Sequence, residues 1–481
     1  MTSLRPVSLR PTSPRLAFLA PLLLALLAAG CAIGPRYVRP DTAAGAAVAF
    51  KETPAADGWV PARPGDALDR GDWWLRFGDP LLDELAARVQ VSNQTIAAAV
   101  AAQAQAEALV REQQAGLLPS VSLDGSARRS GALRGGGAGS TYAATLGADW
   151  SPDLWGRLRL AVESAQADAQ ASAADLASAR LSAIGTLATS YLSLREADAE
   201  IVLLDETIAG YERALAITRN RYDAGIAAQS DVLQAQTQLV NAQAERVGLR
   251  RARAAYEHAV AVLVGAVPAE FSLAPAAWRP TVPAVPAGVP SLLLQRRPDI
   301  AAAERAVAAA NAQIGIARAA HYPSIGLSAS LGSSTSRVGE LFNASSMLWA
   351  LGLSVAQTVF DGGAIDARTD AARAAHAASV ARYRQTVLAA FQDVEDQLAA
   401  VAALAEQEGL RRAASQAADR TEQQMLNRYR AGQVSYSEVV SAQASALSAR
   451  RTLAQVQLSR QTAAVALIQA LGGGWEADWL R

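Results

Sequence analysis

The sequence predicts a mainly α-helical fold that carries the strands of a membrane β-barrel, and three observations lead there. The chain repeats itself at an offset of about 207 residues; each copy holds two short stretches of period-two alternation; each also holds a proline-free interval of about 70 residues. Composition agrees. The 481 residues carry 44 basic and 44 acidic side chains, so no global charge steers the chain toward nucleic acid or anionic lipid. Apolar residues reach 51% but aromatic ones only 5%, an Ala-rich balance that suits close-packed helices and excludes a disordered chain.

The N-terminus carries Arg5, Arg10 and Arg15 without an acid, and then the uncharged run LAFLAPLLLALLAA from Leu16 to Ala29. That run is too short for a membrane span and reads as a signal peptide over residues 1–30. It closes on Leu27, Ala28, Ala29, Gly30 and Cys31, small residues ahead of the only cysteine in the chain. This is the pattern a lipoprotein signal peptidase needs. Cys31 is then the mature N-terminus, bearing N-palmitoyl and S-diacylglycerol groups, and residues 31–80 form a lipidated, extended arm. The alternative is an ordinary signal peptide with an incidental Cys. Ala32, rather than Asp, follows Cys31, which in bacterial lipoproteins goes with sorting to the outer membrane. No later segment is long and apolar enough for a helical span, which excludes a polytopic inner-membrane transporter.

The duplication is plain in RYDAGIAAQSDVLQAQ at 221–236 and RYRAGQVSYSEVVSAQ at 428–443, and again in Pro119-Ser120-Val121 and Pro323-Ser324-Ile325. Two structural repeats follow, 81–265 and 298–472, with a Pro-rich linker at 266–297 and a tail at 473–481. The prolines of the linker cannot continue a helix, and it reads as extended.

Strands are expected near 119–131 and 140–152 in the first repeat and near 323–336 and 346–360 in the second. Val121, Leu123 and Ala127 alternate with Ser120, Ser122, Asp124 and Ser126; Trp349, Leu351, Leu353 and Val355 alternate with Ala350, Gly352, Ser354 and Ala356. Such strands have one apolar and one small, polar face. Gly/Ser-rich loops at 131–140 and 336–345 make each pair a hairpin. The pattern fits a barrel wall between lipid and lumen, or a half-buried hairpin on a soluble core. In a membrane, four strands cannot close a barrel, and open edges there are not tolerated, so the protein must oligomerise.

The proline-free intervals from Gly156 to Gly225 and from Gly362 to Gly432 can each run about 100 Å as helix, far more than a bilayer. Leu187, Leu194, Ile201, Ile208 and Leu215 recur every seven residues, as do Val387, Val394 and Val401, which predicts a left-handed coiled-coil seam. After each glycine the chain returns, with Leu233, Val240 and Val247 continuing the heptad.

Catalytic and metal chemistry have no visible carrier. There is no G-x-S-x-G and no glycine-rich loop followed by Lys. His258, His321 and His376 are scattered, so no metal site and no cofactor beyond the lipid is expected. The chain is not expected to be an enzyme. A lipid-anchored periplasmic coiled-coil scaffold remains a rival reading.

The lipobox at Cys31, the run Gly34-Pro35-Arg36-Tyr37-Val38-Arg39-Pro40, the Gln295-Arg296-Arg297-Pro298-Asp299-Ile300 to Glu304 segment and the paired RYxAG turns together resemble the outer-membrane efflux factor family. These are the TolC-like channels, and the chain is most similar to their NodT-type or OprM-like lipoprotein branch. The resemblance implies a homotrimer whose protomers give four strands each to a twelve-stranded barrel, above a helical barrel that crosses the periplasm. It also implies partners: a periplasmic adaptor and an inner-membrane pump of the resistance-nodulation-division (RND) type, with this protein as their passive exit duct for small molecules such as drugs. A duct for ABC-driven (type I) protein secretion is the alternative client.

The resemblance places the periplasmic aperture at the RYxAG turns, hence at Tyr222 and Gly225 and at Tyr429 and Gly432. Asp231 and Glu438 stand just beyond, as carboxylates repeated around an aperture or as partners of the helix dipole. The family pattern often has a further acid where this chain has Ser441, and the first copy has Gln234 at that position.

Overall fold

A computed structural model describes residues 33–41, 50–51, 72–131, 138–283 and 297–473. Its helices are α1 (Pro80–Ser92), α2 (Gln94–Ala115), α3 (Arg157–Asp223), α4 (Gln229–Leu263), α5 (Pro298–Ala319), α6 (Ala364–Arg430) and α7 (Tyr436–Ala470). Its strands are β1 (Ser120–Ser130), β2 (Gly139–Trp150), β3 (Ser324–Thr335) and β4 (Met347–Ala356). The duplication is visible in matched lengths: α3 and α6 have 67 residues each, and α4 and α7 have 35 each. Two compact units are present, one of Met1–Pro40, Ala104–Ala171 and Glu304–Arg382, the other of Asp41–Gln103, Ser172–Ala303 and Tyr383–Arg481. The signal peptide and Cys31 lie outside the described residues.

In the first unit the four strands form one antiparallel sheet in the order β1-β2-β3-β4. Register makes the period-two pattern continuous across it. Leu123 pairs with Leu146, Leu146 with Leu331 and Leu331 with Trp349, so one face is apolar from edge to edge. Asp124 pairs with Thr145, Thr145 with Gly332, and Gly147 with Ser330 and Ser122, so the other face is polar and small. β1 and β4 are exposed along their whole length. β4 ends at Ala356, short of the expected 360. Its last partner is Ser324, and Pro323 before it has no N–H with which to extend the ladder.

The segment after Cys31 is laid along α3 and α5 in this unit. The Ile33 amide donates to the Trp155 carbonyl at 3.4 Å, Asn311 donates to the Pro35 carbonyl at 2.9 Å, and the Tyr37 hydroxyl donates to Glu304. Close approach depends on glycines. A Cβ on Gly315 would lie 2.7 Å from the Gly34 Cα and 2.5 Å from the Leu160 side chain.

In the second unit a core forms where Trp73, Trp74 and Phe77 meet Leu82, Leu85 and Val89 of α1, Leu187, Tyr191 and Leu194 of α3, and Val465 and Ile468 of α7. Asp79 caps α1 by accepting from the amides of Leu81 and Leu82, and its other oxygen takes the Tyr191 hydroxyl at 2.6 Å. Arg195 donates to Tyr191, to Asp198 and to the Ala274 carbonyl.

The Pro-rich segment, expected as an extended linker, carries anchors in its described part that this reading did not include. Its described part, up to residue 283, has no helix beyond the turn at Pro268–Glu270, yet it is tied down. Arg253 holds the Leu273 carbonyl at 2.6 Å, and Gln461 of α7 holds those of Arg279 and Thr281 at 2.8 and 3.0 Å. Three carbonyls of a segment without its own ladder are thus satisfied by buried or partly buried side chains.

The heptads of α3 and α6 are buried at Leu187, Leu194, Ile208, Leu215, Val387 and Val394. Those of α4 are not: Leu233, Val240 and Val247 are 56%, 53% and 63% exposed. The face that α4 turns inward instead carries Ala235, packed with Leu215, and Ala242, packed with Ile208 and Tyr211. Alanine permits the closer helix approach, and the larger stripe is left outside.

Glu196 and Glu200 lie buried one turn apart on α3, with Arg451 of α7 reaching Glu200 at 3.5 Å. Burial first, and then the Glu200 charge, raise the Glu196 carboxyl from 4.5 to about 7. The folded state therefore holds a proton that the unfolded chain releases above its ordinary value, and stability contributed by that proton is lost as pH rises from about 4.5 to about 7. Glu196→Gln is expected to leave the unfolding temperature near pH 5 almost unchanged and to stabilise the protein at pH 8 by about 1–3 kcal/mol. Thermal unfolding in detergent at the two pH values checks this, and an equal effect at both would contradict it.

Candidate functional site

The two RYxAG turns reverse the chain by the same backbone device. Gly225 has φ +71° and Gly432 φ +73°, and nothing lies within 4 Å of a Cβ built on either. Left-handed backbone, not space, is what requires glycine there. In the first turn the amides of Gly225 and Ile226 donate to the carbonyls of Tyr222 and Arg221, both at 2.8 Å. In the second those of Gly432 and Gln433 donate to Tyr429 and Arg428, both at 2.9 Å. These are the bonds that close a helix C-terminus.

The side chains are not equivalent. Tyr429 is only 4% exposed, whereas Tyr222 is 44% exposed. Tyr429 packs against Tyr436 with ring centres 5.3 Å apart, and its hydroxyl lies 3.3 Å from that of buried Thr218. Arg221 reaches across from the first turn, donating to the Tyr429 carbonyl at 2.8 Å with its guanidinium 4.7 Å from the ring centre. Around this pair close Ala214 and Leu215 of α3, Ala235 of α4 and Val439 of α7.

Asp231 and Glu438 sit in the first turns of α4 and α7. Neither helix has a side-chain cap at Ala228 or Ser435, so the two carboxylates are the groups that complement the dipole of each return helix. Asp231 is half-buried, and Glu438 and Ser441 are exposed. The Asp231 charge also reaches Tyr436. Burial first, then Tyr429, Tyr211 and Asp231, push that phenol up to about 12, so it stays protonated at any physiological pH. The structure thus gathers Tyr429 and Asp231 around Tyr436 and leaves Tyr222, Glu438 and Ser441 on the outside. Arg221, Thr218 and Tyr436 are members that sequence reasoning missed. Arg221 could have been found, since it opens the duplicated motif.

No group of His, Cys, Asp and Glu among the described residues is arranged to hold a metal ion. The cluster offers charges and interhelical bonds.

A profile of the family described as outer membrane efflux protein matches residues 85–266 and 289–473. The chain is 32% identical over 460 residues to the probable efflux pump outer membrane protein TtgC of Pseudomonas putida, with 94% of each chain covered. It is 29% identical over 461 residues to the cation efflux system protein CusC of Escherichia coli O6:H1, covering 95% of this chain and 99% of that one. Among solved structures it superposes on the outer-membrane channel OprN with TM-score 0.84 and 31% identity, over 92% of this chain and 100% of that one.

Arg221→Ala removes a charge-assisted hydrogen bond and a cation–π contact from the second turn. The expected loss is about 1–2 kcal/mol of local stability, which corresponds to roughly tenfold faster amide exchange at Gly432 and Gln433. Hydrogen–deuterium exchange resolved to peptides 425–436 measures it, with the first turn as internal control.

Proposed function

The chain belongs to the outer membrane efflux protein family, and on that premise we propose that it is the exit duct of a tripartite efflux pump, seated in the outer membrane and passing small molecules received from an inner-membrane RND pump through a periplasmic adaptor. The observation that carries this reading is the sheet: apolar on one face, polar and small on the other, and open at β1 and β4. Such a wall separates lipid from a water-filled lumen. Its two free edges are completed only by further copies, and three copies supply twelve strands. The duct is passive; energy comes from the pump.

Cys31 is the lipid site in this proposal, through N-palmitoyl and S-diacylglycerol chains. Support comes from its neighbourhood in sequence. Ile33, two residues on, is tied to Trp155, and Trp155 stacks on Tyr322 at 5.1 Å directly before β3. Paired Trp and Tyr beside a membrane strand mark the level of an interface, and two residues span at most about 7 Å. Asp231 and Glu438, repeated around the ring of copies, form carboxylates of the aperture in addition to their dipole role.

Crosslinking in intact cells, purification through a C-terminal tag and mass spectrometry test the assignment. The expected result is an adaptor and an RND pump, together with an acylated N-terminal peptide starting at Cys31. An ABC exporter instead would move the function to protein secretion, and an unmodified N-terminus would remove the anchor. In planar bilayers, Glu438→Ala is expected to raise single-channel conductance about twofold or more by relaxing a charged constriction; an unchanged conductance leaves Glu438 with the dipole role alone.

A further inference from the structure

Within one chain the contact between the repeats has a direction. Arg221 of the first repeat grips Tyr429 of the second, and the second repeat is the receiving side. The offset of 207 supplies the same two groups in reverse: Arg428 is the counterpart of Arg221, and Tyr222 that of Tyr429. Neither is used in that way inside the chain. Arg428 is exposed and makes no ion pair or side-chain hydrogen bond among the described residues, and Tyr222 stands 44% exposed.

A second observation shows the same asymmetry on the return helices. Leu233, Val240 and Val247 of α4 are more than half exposed. Their counterparts Val440, Leu447 and Ala454 of α7 are all partly buried, and Val440 packs against the cluster around Tyr429. The receiving face of the second repeat is filled, and that of the first is open. A directed contact between two like units, repeated head to tail, leaves one donor and one receiver free on every chain until a ring closes.

We infer that a second copy of this chain fills the open face, its Arg428 seating over the Tyr222 ring and donating to the Tyr222 carbonyl, while its α6 and α7 cover Leu233, Val240 and Val247. Each ring then alternates two kinds of latch, one inside a chain and one between chains, made by the same residue pair. The Tyr436 position is Gln229 in the first repeat, and the Thr218 position is Met425 in the second. The latch between copies therefore lacks the second tyrosine and the hydroxyl partner of the internal one, and it is the weaker of the two.

The inference rests on the ring of copies proposed above, and its test separates the two. Full-length protein carrying a benzophenone photoprobe in place of Tyr222 and one affinity tag is co-expressed with unmodified protein carrying another tag, and the membranes are irradiated. The expected product joins the two tags, with the adduct mapping to the segment around Arg428. Adducts confined to the probe's own chain, or formed with a different protein, overturn the latch while the ring stands. Protein that runs as monomer on native gels without heating overturns the ring itself. As a second measurement, Arg428→Ala and Tyr222→Ala are each expected to lower the temperature at which the oligomer dissociates in SDS, and the double variant by no more than the larger single loss. Additive losses overturn the pairing.

Discussion

Everything in this protein follows from one constraint on the backbone: a strand edge has no water to bond with in hydrocarbon, and each unpaired amide or carbonyl there costs several kcal/mol. A sheet of four strands with an apolar face and two bare edges, β1 and β4, is incomplete as it stands. Ordinary soluble sheets blunt such edges with charge, proline or a bulge. Here β4 reads MLWALGLSVA, with none of these. The sheet is designed to be finished by its own kind.

The duplication lets one solution serve twice. The same glycine conformation and the same pair of backbone bonds close both helical hairpins, to within 0.1 Å. Divergence is confined to what surrounds them. Tyr429 has Tyr436 and Thr218 as neighbours and is buried, whereas the Tyr222 ring stands in the open. Two copies of one motif can thus be a finished contact and a half contact at once.

What was legible in the sequence was whatever depends on period and on forbidden residues. Strand alternation survived into the register of all three strand pairs because a slip of one residue would exchange the two faces. The long helices were legible because proline is absent from them. The α4 heptad misled because a seven-residue spacing says that a stripe exists, not which neighbour it meets. Ala235 and Ala242 share that spacing, and their small size won the inner position. The Pro-rich segment was read only as an extended linker because composition reports that it lacks helix, whereas its anchors, Arg195, Arg253 and Gln461, lie in helices outside it. At the candidate site, glycines and carboxylates were visible as departures from helix chemistry. The roles of Thr218 and Tyr436 depend on which helices meet, and no local pattern carries that.

The core that joins Trp73 and Trp74 to Val465 and Ile468 bears on how the chain is made. Its first aromatic residues leave the ribosome long before α7 exists, and contacts so distant in sequence form late. Until the last helix is released, the tryptophans near the start have no completed site to enter. This core is therefore completed only once the C-terminal helix is present, whatever route the chain takes to the outer membrane.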